Sequence, residues 1–255
     1  MPNPRCGQGG ELVPDKALRA WTPSNPKGYK RLFNARAALQ PRMRLAKGLF
    51  RGDAQINVEP YPAAGGLKGV LRRSVQISKR HRDVYFEHLD PALAPISVIL
   101  TTLAARSYEY CVQNFTYDSE LDVLCDIIRH MPDTIETRVI EGRRHWFVWN
   151  ESTSGENFAE KWNCDPRRAE AFFAWQRQAL HDLEQLIATH GLDQVTKRLR
   201  SSFGPAPVAK AMDSLISTVS GARAGGQLGL APRVGLTIGS PAATRVRPNR
   251  FYGVP

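Results

Sequence analysis

The stretch "LRRSVQISKRHRDVYF", from Leu71 to Phe86, constrains the fold most, because its small and apolar residues recur at the spacing of one helix face. With two preceding positions, that face consists of Leu67, Val70, Leu71, Ser74, Val75, Ser78, His81, Val84 and Tyr85. Five Lys or Arg residues occupy much of the remaining surface of the stretch. The pattern therefore predicts a helix that packs one face against a core and exposes a basic face.

Further segments have helical periodicity, so the chain is predicted to be mainly α. Residues 29–50 form one candidate helix, which Pro41 limits or kinks. Residues 96–113 begin with a near-continuous apolar run, which indicates a helix buried on most sides. Ser119, three residues before Asp122, is typical of a capping box at the start of another helix.

The pattern changes to period two in residues 134–149, where alternating residues flank a Gly-containing turn and predict a β-hairpin. A short helix is then expected in "GENFAEKW" (155–162), as an amphipathic cap on a bundle. Asp165 as N-cap and Pro166 as first residue predict a long helix to about His190, which Gly191 ends. Two shorter helices are predicted near 192–202 and 206–219.

Three segments are predicted along the chain. Residues 1–28 are rich in Gly and Pro and are expected to be an irregular linker, with "TPSNPKGY" (22–29) as a tight turn. Residues 29–220 form the helical domain. Residues 221–255 contain five Arg, no Lys and no acidic residue among many Gly and Pro, which is typical of a basic tail that docks late through Phe251 and Tyr252.

A strong positive charge limits the classes of partner. The 255 residues include 35 Lys and Arg against 24 Asp and Glu, a formal charge of +11. Such an excess favours nucleic acid, nucleotides or a membrane surface, and the alternative is solvated surface charge. On the helix of residues 71–86, Arg72 and Lys79 share one face and Arg73 and Arg80 another, flanked by Arg82. Spacing alone leaves phosphate binding and a solvated face both open.

Motifs for acid–base or metal chemistry are missing. The sequence has no Asp-x-Asp, no P-loop, no GxSxG and no HExxH. His81 lies on the apolar stripe and is interpreted as a core residue rather than a catalytic base. The cysteines, at positions 6, 111, 125 and 164, have no zinc-site spacing and are expected to be scattered buried thiols in a reducing cytoplasm. No apolar run is long enough for a membrane span, and the N-terminus does not resemble a signal peptide.

Several separated blocks resemble bacterial cGAS/DncV-like nucleotidyltransferases (CD-NTases), in the same order and with similar spacing. They are "LVPDKALRAWTPSNPKGYKRLFNARA" (12–37), "LRRSVQISKRHRDVYF" (71–86), "PISVILTTLAARSY" (95–108), and "GENFAEKW" followed by "DPRRAEAFFAW" (165–175). The similarity covers roughly residues 12–203, with a further likeness at the terminal "NRFYG".

The resemblance implies a helical-bundle C-terminal lobe of a polymerase-β-like nucleotidyltransferase. Such enzymes join nucleoside triphosphates, among them ATP and GTP, into cyclic second messengers that act in antiphage defence. Complete enzymes use Mg²⁺ held by carboxylates. In some systems the C-terminus is a substrate of ubiquitin-like conjugation machinery, and the ending "FYGVP" is compatible with that partner.

This sequence departs from the family because the Gly-Ser turn and the three metal carboxylates of the N-terminal lobe have no counterpart. We therefore expect a chain without catalytic or metal-binding residues that is inactive alone, whether through truncation, a misplaced start or a split protein. The alternatives are a non-catalytic basic nucleic-acid-binding module and a half-protein that pairs with a separate catalytic lobe.

Two positions match nucleotide-binding residues of the family. Lys79, in "SKRHRD", matches a lysine that contacts the triphosphate, and Ser97, in "PISVIL", matches a serine that lines the same pocket. A helix lysine and a hydroxyl at the start of the next helix can converge on one phosphate chain. The other interpretation of Ser97 is an ordinary N-cap. The bases joined and the ring size do not follow from any motif.

Overall fold

The computed structural model describes residues 10–14, 21–44, 69–231, 235–239 and 244–246. The chain divides into two compact units, Met1–Gly191 and Leu192–Pro255. The helices described in the first unit are α1 (Pro26–Ala37), α2 (Val70–Tyr85), α3 (Ser97–Asn114), α4 (Glu120–His130), α5 (Glu160–Cys164) and α6 (Arg167–Ala188). Its described strands are β1 (Glu11–Pro14), β2 (Trp21–Ser24), β3 (Arg42–Met43), β4 (Thr116–Tyr117), β5 (Glu136–Ile140) and β6 (Arg143–Phe147).

The core of the first unit lies among α2, α3, α4 and α6, which pack against one another as a bundle. Burial of their apolar side chains is the main term that stabilises this arrangement. The largest fully buried side chains on these helices are Trp175, Tyr108, Phe172, Leu71, Ile99, Leu100, Leu103, Ile127, Ile128 and Val123. The prediction of a mainly α, bundle-like fold is confirmed.

Helix α2 buries most of the stripe that its sequence predicts, whereas Val70, Val84 and Tyr85 are half-buried. Its buried residues are Leu71, Ser74, Val75, Ser78 and His81. The basic residues lie outside this stripe: Arg80 is exposed and the other four are partly buried. The apolar run of α3 is buried on most sides, as predicted.

The prediction of an irregular N-terminal segment is wrong for the residues that the structure describes. Strands β1 and β2 pair antiparallel, with Glu11 opposite Ser24. Helix α1 begins at Pro26, three residues earlier than predicted, and ends before Pro41. Asn25 caps this helix: its Oδ1 accepts from the Gly28 N–H at 2.8 Å, and its Nδ2 donates to the Ser152 carbonyl at 3.0 Å. The turn residues of "SNPKG" thus begin a helix.

Other local predictions are confirmed or shifted slightly. Strands β5 and β6 form the predicted hairpin, and the Ser119 hydroxyl accepts from the Asp122 N–H at 3.2 Å. Helix α6 begins at Arg167, so Pro166, rather than Asp165, occupies the N-cap position. The chain leaves α6 through Gly191, whose φ of 88° favours glycine.

The second unit contains α7 (Leu192–Phe203), α8 (Pro205–Ala224), β7 (Leu228–Ala231), β8 (Gly235–Ile238) and β9 (Thr244–Arg245). Both predicted helices are confirmed, and α8 extends beyond its expected end. The described part of the expected tail contains an antiparallel sheet in the order β8-β7-β9. The predictions for Leu67, Cys6, residues 45–50, and Phe251 and Tyr252 lie outside the described residues.

Gly28→Ala is expected to lower the free energy of unfolding by about 1 kcal/mol, although alanine favours helices over glycine. A methyl group there would lie 2.5 Å from Asn25 Nδ2, so the cap would lose its two hydrogen bonds, each contributing about 1 kcal/mol. Gly221→Ala in α8 is the matched control and should stabilise, since among the described residues no heavy atom outside its own helix backbone lies within 4 Å of the added methyl group. Urea unfolding measures both. Stabilisation by both substitutions would contradict the packed cap.

Candidate phosphate-binding site

The end of α2 meets the start of α3 at a hydrogen-bonded guanidinium. Arg82 lies in the last turn of α2, and Nη1 donates to the Pro95 carbonyl at 2.9 Å and to Ser97 Oγ at 3.1 Å. A 3-10 turn at Pro91–Leu93 brings the chain back between the two helices. Arg82 therefore fixes the start of α3 relative to the last turns of α2.

Lys79 lies one turn before Arg82 on the same side of α2, and its side chain is only partly exposed. In the described part of the chain, it makes no hydrogen bond and no ion pair. Burial lowers the pKa of Lys79, and the positive charge of Arg82 lowers it further, while Asp83 offsets part of this change. The ammonium group thus lies in a locally positive environment that favours an anion.

Asp83 is the carboxylate next to Arg82 and Lys79. Its Oδ1 accepts from Arg82 Nη2 at 2.5 Å and from Arg82 Nε at 2.9 Å, and its side chain is 51% exposed. Arg82 and Lys79 together carry two positive charges against one carboxylate, so the cluster retains a net positive charge.

Ser97 is the first residue of α3, and Ile96 occupies the N-cap position, so the N-cap interpretation of Ser97 is wrong. The exposed hydroxyl of Ser97 accepts from Arg82, and its backbone carbonyl accepts from Thr101 Oγ1 at 2.7 Å. Lys79 and Ser97, the two residues that the sequence resemblance selects, therefore lie beside the same guanidinium.

The other arginines of α2 have partners within the protein. Arg72 donates to Asn34 Oδ1 at 2.8 Å and lies over the Phe33 ring, and Arg73 pairs with Glu120 at 2.6 Å. Arg80 is exposed. The basic residues of α2 thus have two roles. Arg72 and Arg73, in its first turns, contact neighbouring helices. Lys79 and Arg82, in its last turns, form with Ser97 of α3 a group that we call the phosphate cluster.

His81 is a core residue, as predicted, and is 3% exposed. Trp175 Nε1 donates to His81 Nδ1 at 3.1 Å, so Nδ1 is the acceptor and Nε2 carries the proton that Asp182 Oδ2 accepts at 3.0 Å. Burial lowers the pKa of His81, and Asp182 offsets part of this change. These hydrogen bonds hold α2 against α6 and so support the phosphate cluster.

The described residues do not fit the Mg²⁺ that the resemblance implies. Within the described ranges, no group of three His, Cys, Asp or Glu side chains is placed to hold a metal ion. Asp83, the carboxylate beside the phosphate cluster, is already paired with Arg82. We therefore derive no chemical step through a metal.

Two further sequence predictions bear on chemistry. Cys111 and Cys125 are buried, and burial raises the pKa of the Cys125 thiol to about 11, whereas Cys164 is exposed, contrary to the expectation of buried thiols.

Among the described helices, none has the length and apolar character needed to cross a bilayer.

The chain is similar to known bacterial proteins. No family model matches the sequence. The c-di-GMP synthase of Roseivirga ehrenbergii is 30% identical over 241 residues, which are 94% of this chain and 60% of the synthase. This similarity supports the resemblance to bacterial CD-NTases. The Bradyrhizobium diazoefficiens CD-NTase CdnG, solved in complex with GTP, matches 83% of this chain and 61% of its own, with a TM-score of 0.57 and 19% identity.

The chain thus spans about three fifths of the length of the relatives that it matches. The likeness to CdnG supports the fold, and the predicted mainly α bundle agrees with it. Sequence reasoning treated Arg82 only as a flank and did not single out Asp83. The available signals were the spacing of three between Lys79 and Arg82, and the adjacent carboxylate.

Proposed function

We propose that this chain provides the nucleotide-binding helical portion of a cyclic-oligonucleotide synthase, with GTP as the first nucleotide to test. The observation that carries the proposal is the phosphate cluster, where Lys79 makes no ion pair within the described residues and lies beside Arg82 and Ser97. Relatedness to a c-di-GMP synthase supports the choice of a guanine nucleotide. We also propose that the synthase acts in antiphage defence and is located in the cytoplasm.

Within the proposed site, Lys79 and Ser97 bind the triphosphate. An ammonium group that has no carboxylate partner gains a charge-assisted hydrogen bond when a phosphate oxygen approaches. The Ser97 hydroxyl adds a neutral hydrogen bond at the start of α3, where free backbone N–H groups also favour negative charge. Both interactions can hold and orient a triphosphate without a metal ligand from this chain.

Synthesis is proposed to need carboxylates that the described residues do not bring together. Purified chain incubated with ATP, GTP and Mg²⁺ is expected to give no cyclic product by liquid chromatography and mass spectrometry. Addition of a polypeptide that carries a metal-binding Asp-x-Asp pair and binds this chain should permit synthesis. A cyclic product from this chain alone would contradict the inactive portion while leaving nucleotide binding intact.

Lys79→Ala is expected to weaken GTP binding roughly tenfold or more, because one charge-assisted hydrogen bond contributes about 1.5–3 kcal/mol. Isothermal titration calorimetry on the full chain measures the dissociation constant. Arg80→Ala is the matched control, since it removes the same charge from the next, exposed position of α2. It should change GTP affinity less than threefold at about 0.15 M salt. Equal losses for both variants would indicate general electrostatic attraction and contradict a specific role for Lys79.

A further inference from the structure

A positive cluster on α2 and α3 contains one residue that the sequence resemblance does not select. Arg82 Nη1 donates to the Pro95 carbonyl and Ser97 at the start of α3, and Arg82 Nε and Nη2 donate to Asp83. Its side chain is 14% exposed, compared with 51% for Asp83. The guanidinium is therefore held in place by the protein, whereas its carboxylate partner lies largely in solvent.

The charges of this cluster are not balanced. Lys79 and Arg82 lie one turn apart on the same face of α2, a like-charge spacing that is unfavourable in a helix. Asp83 accepts two hydrogen bonds from Arg82 and, within the described residues, makes no hydrogen bond or ion pair with Lys79, whose pKa it raises only enough to offset part of the effects of burial and Arg82. An anion placed between the ammonium and guanidinium groups would relieve their repulsion.

The direction of one hydrogen bond determines what Ser97 can do. Arg82 can only donate, so Ser97 Oγ is the acceptor in the contact at 3.1 Å. The hydroxyl hydrogen of Ser97 must then point away from Arg82. This hydrogen remains available to an acceptor oxygen that approaches the cluster from the solvent side.

We propose that Arg82 is a second phosphate-binding cation, and that Asp83 is an internal anion which a polyphosphate replaces on binding. The ligand class is a nucleoside triphosphate or another polyphosphate. This inference depends on the proposed function, because it concerns the same site. Arg82 keeps its contacts with Pro95 and Ser97 and exchanges only its carboxylate partner. Arginine suits this task, since its planar fork can donate to α3 and to a phosphate at once.

Asp83→Asn provides the most direct test. The amide has nearly the shape of the carboxylate but removes the competing negative charge, so affinity for GTP should rise roughly threefold to tenfold. Titration calorimetry with GTP, and separately with inorganic tripolyphosphate, measures this change in the full chain. A similar gain for both ligands is expected if the phosphates occupy the cluster. Unchanged or weaker binding by Asp83→Asn would overturn the exchange.

Arg82 variants test the cation itself. Arg82→Ala should weaken GTP binding roughly tenfold or more, and Arg82→Lys should bind with intermediate affinity, since a lysine keeps the charge but not the fork. Because Arg82 also connects two helices, thermal unfolding of each variant checks that it is folded. The Ser97→Ala substitution should cost less affinity in the Arg82→Ala background than in the wild type, a coupling that general destabilisation does not produce.

The outcomes separate this inference from the proposed function. If the wild type binds neither GTP nor tripolyphosphate, both are wrong. If the wild type binds GTP and Lys79→Ala weakens binding, but the Asp83 and Arg82 variants bind like the wild type, the proposed function stands and the role of Arg82 is wrong. If tripolyphosphate binds as tightly as GTP, the cluster recognises phosphate, and selection of guanine must come from other residues.

Discussion

Trp175→Ala is expected to lower the free energy of unfolding by about 3–5 kcal/mol, the largest effect of any single substitution considered for this chain. The Trp175 side chain is fully buried and packs on Phe172 with ring centroids 5.9 Å apart. Its removal leaves a cavity between α2 and α6 that a packed bundle fills only in part. Urea unfolding followed by circular dichroism measures the loss.

The Trp175 indole N–H adds a polar part to this effect. It donates to His81 Nδ1, and its loss would leave a buried acceptor without its partner, which costs about 1–3 kcal/mol. Trp175→Phe is the control, since it keeps an aromatic ring and removes the donor, so it should cost less than Trp175→Ala. If Trp175→Ala costs less than about 1 kcal/mol, the α2–α6 contact does not stabilise the bundle as the structure indicates.

Glu151→Gln is expected to cost about 2 kcal/mol, less than the value for a fully buried ion pair because the Glu151 side chain is 35% exposed. Glu151 lies between two guanidinium groups: Oε2 is 2.7 Å from Arg36 Nη2, and Oε1 is 2.6 Å from Arg106 Nε. Loss of the carboxylate leaves these two cations facing each other at the junction of α1, α3 and the segment after β6.

The same carboxylate predicts a dependence of stability on pH. Burial by itself raises the pKa of Glu151, but hydrogen bonds from Arg36 and Arg106, together with their charges, lower it below its ordinary value of 4.5. A depressed folded-state pKa gives stability that is present above the unfolded-state pKa and is lost as pH falls through the folded-state pKa. The wild type should therefore lose more stability below about pH 4.5 than Glu151→Gln does.

Glu109→Gln is the matched control for this ion network. Glu109 contacts Arg36 at 2.7 Å, and Arg36 keeps Glu151 as a partner when the Glu109 charge is removed. The control should therefore destabilise less than Glu151→Gln at neutral pH. Equal losses for the two variants, measured by urea unfolding at pH 7, would argue against a bridging role of Glu151.

Periodicity predicted the helical core because the apolar residues that a helix buries recur in the sequence with the period of one helical turn. The stripe of α2, the buried run of α3 and the hairpin of residues 134–149 follow from local spacing, and the structure confirms each. The start of α1 was missed because Asn25 and Pro26 favour both turns and helix caps. The choice was decided by Ser152, which is distant in sequence but accepts a hydrogen bond from the Asn25 side chain.

The sequence by itself determined that this chain is mainly helical and basic, and the order of its motifs pointed to the CD-NTase family that the comparison with the c-di-GMP synthase supports. Only the tertiary structure decided how the cations of α2 divide their roles. Arg72 and Arg73 find partners on neighbouring elements, whereas Lys79 remains beside Arg82 at the start of α3. Helical spacing fixes which charges share a face, but their available partners depend on contacts between residues far apart in the chain.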